Sequence, residues 1–74
     1  MQTINWKTFF ENSSSRDALI EFASGALSIK QLHDACWPEE CRTEVNKMKR
    51  IGTRACRLRA KKALYREGWE WLMP

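Results

Sequence analysis

The sequence is poor in what builds sheets, disulfide frameworks or membrane spans. Glycine occurs three times and proline twice in 74 residues, and no alternating β-rich run is long enough to assemble a sheet. No apolar run approaches the ~20 residues of a membrane span. The start, MQTINWKTFFE, lacks the basic end and apolar core of a secretion signal. An intracellular, cytoplasmic protein is therefore expected. The cysteines number three; an odd count argues against a disulfide framework, and reduced cysteine packs as a small hydrophobe. There is no internal repeat. Paired carboxylates for hydrolysis, glycine-rich phosphate loops and histidine-rich metal runs are also missing. No enzyme is expected, no catalytic residue is nominated and no cofactor is implied.

What is present fits a single small helical domain. Apolar residues make up 43% of the chain and charged residues 30%, which is too apolar for a disordered segment and ordinary for a globular one. A chain this short buries only a modest core. The spacing predicts an all-α bundle of four to five short helices. Residues 1–14 form a short helix and loop, 15–52 a helical core, and 53–74 a basic helix with a tryptophan-rich tail.

Trp6, Phe9 and Phe10 fall at i, i+3 and i+4 on a first helix from Trp6 to Glu11, with Asn5 as its N-cap. Ser14 followed by Asp17 predicts a capped start to a second helix, which buries Ala18, Leu19, Phe22 and Ala23 and ends at Gly25. Ser28-Ile29-Lys30-Gln31 is a capping box, with Leu27 and Leu32 at the spacing of a hydrophobic staple. That third helix should end near Cys36 or Trp37, before Pro38. A fourth helix then starts with Glu39 and Glu40 and buries Cys41, Val45 and Met48. Gly52 breaks it, and Thr53 caps a fifth helix from Arg54 to about Glu67, which ends at Gly68.

Charge separates the two halves. Residues 1–40 carry three basic and six acidic side chains, a balance of −3, whereas residues 41–74 carry ten and three, a balance of +7. A domain divided in this way points to a polyanionic partner. The alternative is a solvated basic helix paired with the protein's own acidic half. On a wheel of residues 54–66, Cys56, Ala60, Ala63 and Leu64 share a narrow buried face. Arg54, Arg57, Lys61, Lys62 and Tyr65 lie opposite, flanked by Arg59 and Arg66. Arg57 is expected near the centre of the exposed face and Lys62 nearer its edge. A major groove accepts such a helix, with Arg reading guanine and the other cations meeting phosphate. The expected DNA-contacting set is Arg54, Arg57, Arg59, Lys61, Lys62 and Arg66, joined by Lys49 and Arg50.

The stretch LSIKQLHDACWPEECRTEVNKMKRI resembles a helix-turn-helix. The stretch RACRLRAKKALYREGWEWL resembles the recognition helix and first wing strand of small phage-type winged-helix proteins, through Arg57, Leu58, Arg59, Leu64, Arg66, Gly68 and Trp69. The first alignment makes 39–51 the recognition helix and the second makes it 54–66. The denser basic face favours 54–66. The resemblance implies a helix-turn-helix-like fold with a vestigial C-terminal wing. It also implies a sequence-specific DNA-binding regulator of transcription or recombination, of phage or mobile-element type, with duplex DNA as partner.

The sequence also carries two other patterns. His33, Cys36, Cys41 and Cys56 give H-x2-C-x4-C-x14-C, four residues of the types that hold zinc. No C-x2-C pair is present, however, and Cys41 and Cys56 fall on apolar stripes, so structural thiols are expected instead. Tryptophan is abundant, at positions 6, 37, 69 and 71. With the acidic first half, it motivates a rival function: a small phage-type inhibitor or adaptor that docks on a larger protein through Trp69 and Trp71.

Overall fold

The computed structural model describes residues 3–36 and 39–68. Trp37, Pro38, Trp69, Trp71 and the wing expected after Gly68 lie outside the described residues. The elements are α1 (Lys7–Phe10), α2 (Ser13–Ala23), α3 (Ile29–Ala35), α4 (Glu39–Ile51) and α5 (Thr53–Arg66), with no strand among the described residues. The chain is thus an all-α bundle. Its radius of gyration of 10.8 Å matches the ~11 Å of a compact chain of this size.

The core forms where the apolar stripes meet. Phe9 of α1, Leu19 and Phe22 of α2, Leu32 of α3, Val45 and Met48 of α4, and Leu64 of α5 are all fully buried. Cys41 joins from α4, and Cys56 and Ala60 from α5. α2 packs against α1, α3 and α5, and α4 packs against α1, α3 and α5. The buried side chains of α5 are mostly small, which brings its backbone close to α2.

Helix ends differ from expectation where several capping residues compete. Asn12, not Ser14, caps α2: it is extended (φ −129°, ψ 120°) and its side chain accepts from the Ser15 N–H at 3.2 Å. α2 therefore begins at Ser13, ahead of the expected boundary at residue 15, and Ser15 is buried within it. α1 is shorter than expected, and Trp6 rather than Asn5 holds its N-cap position. The Asn5 backbone N–H donates instead to Glu44 Oε1 at 2.8 Å. The α3 capping box forms as expected: Gln31 N–H donates to Ser28 Oγ at 3.1 Å, and Ser28 N–H donates to Gln31 Oε1 at 2.9 Å.

Two glycines set the direction of the chain. Gly25 (φ +95°) ends α2 in a Schellman turn, with Ala26 N–H donating to Glu21 O and Gly25 N–H to Phe22 O. Gly52 separates α4 from α5 at φ +115° and ψ 150°, a region essentially closed to residues with a side chain. Gly52, not Thr53, is the cap residue of α5, and no side-chain bond closes that end.

Candidate nucleic-acid interface

The ten basic residues after residue 40 divide into two groups. Three of them hold the fold. Arg42 Nε donates to the Cys36 carbonyl at 3.2 Å, at the end of α3. Lys47 pairs with Glu44 at 3.2 Å. Arg57 donates from Nε to Phe22 O at 3.1 Å and from Nη2 to Leu27 O at 3.0 Å. Its guanidinium also lies 5.2 Å from the centre of the Phe22 ring.

The other seven are Lys49, Arg50, Arg54, Arg59, Lys61, Lys62 and Arg66. Among the described residues none of them forms an ion pair. Lys61 is half-buried and the rest are exposed. Of the basic half, Arg42 also pairs with Glu39 of the acidic half at 4.0 Å, whereas these seven meet no carboxylate of that half among the described residues.

This sorting corrects the expected geometry of α5. Cys56, Ala60, Ala63 and Leu64 are buried as the wheel required. Arg57, however, is half-buried and held by the terminus of α2, whereas Lys62 is exposed. The first reason is helix geometry: at ~100° per residue Arg57 stands about 75° from the centre of the buried stripe and Lys62 about 145°; the second is the neighbour. α2 ends beside this flank of α5, and its last carbonyls attract a cation at a helix C-terminus. The middle of the outward face is occupied by Leu58 (57% exposed) and Tyr65 (49% exposed), with Arg54 and Lys62 around them.

α4 presents a different surface. Its first turn carries Glu39 and Glu40 and its last turn Lys49 and Arg50. Helix-turn-helix recognition helices use their N-terminal residues on base edges, and that end of α4 would face DNA with two carboxylates. Its basic end adjoins the start of α5 across Gly52. Of the seven cations without an ion pair among the described residues, five lie on α5 and two, Lys49 and Arg50, on α4.

The thiols are structural in character. Cys36, Cys41 and Cys56 are buried and free. Cys41 Sγ donates to Thr8 O at 3.3 Å and Cys56 Sγ to Met48 O at 3.5 Å. Burial, reinforced by neighbouring Cys41, pushes the Cys36 thiol up to about 11, and burial also raises Cys41 and Cys56. The Ser15 hydroxyl, hydrogen-bonded to both Cys36 and Cys41, partly opposes this. Among the described residues no three His, Cys, Asp or Glu side chains gather as a metal site, so His33, Cys36, Cys41 and Cys56 are not assembled around a common point. No helix among the described residues is long and apolar enough to cross a membrane.

Two features escaped the sequence reading. Glu44 is buried on the apolar stripe of α4, where it accepts from Asn5 and Lys47. Its position three residues after Cys41 and four before Met48 was the available signal. The second is the outward Leu58, nearly opposite the buried stripe. No protein-family model, curated protein or solved structure matches the chain.

Proposed function

We propose that the chain binds duplex DNA through the outward face of α5 and the adjoining basic end of α4, as a small regulator of the kind found in phages and mobile elements. One observation carries this reading. Seven cations of the second half have no carboxylate partner among the described residues, so their charge is available to an external polyanion. α5 has 14 residues, about 21 Å of helix, and a major groove about 12 Å wide accepts it.

The reading is tested by binding to a duplex over a salt series. Each phosphate neutralised contributes about 0.9 to the slope of log K against log salt, so full use of the seven gives a slope near −6. Absence of binding at low salt, or a slope near zero, removes the reading.

A second reading is supported by the exposed Leu58 and Tyr65: a small inhibitor or adaptor docking on a larger protein. Apolar side chains central in a charged surface are a common mark of protein contacts. Capture of partners from nuclease-treated lysate separates the two. A partner retained only while nucleic acid is present argues against the second.

A further inference from the structure

Where α4 gives way to α5, the surface opens into a groove of about 980 Å³. Its apolar lining comes from Ile51, Ala55 and Leu58, and its charged lining from Arg54, Arg57 and Lys61, with no carboxylate among the lining residues. We infer that this groove is a docking site for an acidic amphipathic helix of a partner protein.

Charge complementarity fixes the sign of the occupant. Arg54 and Lys61 have no ion-pair partner among the described residues. They are seven residues apart on α5, about 10 Å along its axis. A partner helix lying beside α5 repeats on the same spacing, so two carboxylates one heptad apart meet both cations. The apolar lining fixes the rest. Leu58 is 57% exposed, and a phosphate backbone alone leaves it uncovered. An apolar side chain of the occupant covers it. Apolar anchors at i, i+4 and i+7 with flanking acids are the pattern by which helices fill apolar grooves. The wall at Arg57 is fixed, because its guanidinium is held at 3.1 and 3.0 Å by carbonyls of α2 and the loop after it. Arg54 and Lys61 also belong to the proposed DNA face, so peptide and duplex exclude one another. The docking site itself does not depend on DNA binding.

The full chain is titrated against a fluorescein-labelled helical peptide of about fourteen residues, with leucines at i, i+4 and i+7 and two glutamates seven apart on the flank. A control peptide has serine for each leucine and keeps every glutamate. Anisotropy should show the leucine peptide binding at least tenfold tighter than the control. Leu58→Ser should abolish that difference while leaving the thermal midpoint unchanged, since the side chain is outward. The double variant Arg54→Glu, Lys61→Glu should weaken the leucine peptide at least tenfold. A peptide with lysines in place of the two glutamates should restore its binding. Equal binding of leucine and serine peptides, indifference to Leu58→Ser, or binding of duplex DNA but of neither peptide overturns the docking site. The last of these results leaves the DNA reading standing.

Discussion

Arg57 grips Phe22 in two ways. Its Nε donates to the Phe22 carbonyl at 3.1 Å while the guanidinium lies 5.2 Å from the centre of the Phe22 ring. With the bond from Nη2 to Leu27 O, one side chain fastens α5 to the end of α2 and to the turn that follows. A hydrogen bond from a charged group contributes about 1.5–3 kcal/mol, and this one is partly solvated. Arg57→Ala should therefore lower stability by about 2 kcal/mol in urea unfolding. Arg57→Lys should recover only part of the loss, because an ammonium cannot reproduce the planar fork. An unchanged midpoint for Arg57→Ala would mean that the clasp contributes nothing.

The same contact alters what DNA binding should depend on. Lys62→Ala should weaken binding to all duplexes alike and reduce the salt slope by about one ion. Arg57→Ala, assayed at a temperature where the variant remains folded, should leave the slope unchanged. A larger slope change for Arg57 than for Lys62 would contradict the inward placement of Arg57.

Gly52 has nothing within 4 Å of where a Cβ would stand, so the cost of a side chain there is conformational rather than steric. At φ +115° and ψ 150°, Gly52→Ala should destabilise the fold by about 1–3 kcal/mol in a thermal or denaturant melt. Stabilisation by alanine would instead indicate one continuous helix through residue 52.

Alkaline stability should report on Cys36. Its thiol is raised by burial from the usual 9.0 to about 11. Below pH 9 both the folded and unfolded states hold this proton. Between about 9 and 11 the unfolded chain releases it first, so stability falls as pH rises, by about 1.4 kcal/mol per unit at most, and then levels off. Cys36→Ala should flatten this part of the stability profile in denaturant titrations across that window. A profile identical to that of the parent chain would refute the assignment.

Much of the fold can be read locally. The α3 capping box and the buried stripes of α4 and α5 follow from spacing alone, because each is decided within one or two helical turns. The start of α2 is not decided that way. Asn12, Ser13 and Ser14 are all good caps, and the burial of Ser15 beside Cys36 and Cys41 is a tertiary matter. For the candidate site, the identity of the basic helix is legible but the roles on it are only partly so. At ~100° per residue, Arg57 stands about 75° from the centre of the buried stripe, Lys62 about 145° and Leu58 about 175°. The outward position of Leu58 was therefore available from the wheel. The bonds of Arg57 to the Phe22 and Leu27 carbonyls were not, since they depend on which helix end and turn lie nearby.

The attachment of α1 has a consequence for how the chain matures. Four residues of helix cannot persist alone in water. α1 is secured by Asn5 N–H on Glu44 and by its Thr8 carbonyl on the Cys41 thiol, partners 39 and 33 residues downstream. During synthesis α1 can meet α2 as soon as that helix is made, but these two bonds close only after α4 has left the ribosome. Full attachment of α1 is thus a late event in vectorial folding, and pausing of translation before Cys41 prolongs the interval in which both bonds stay open.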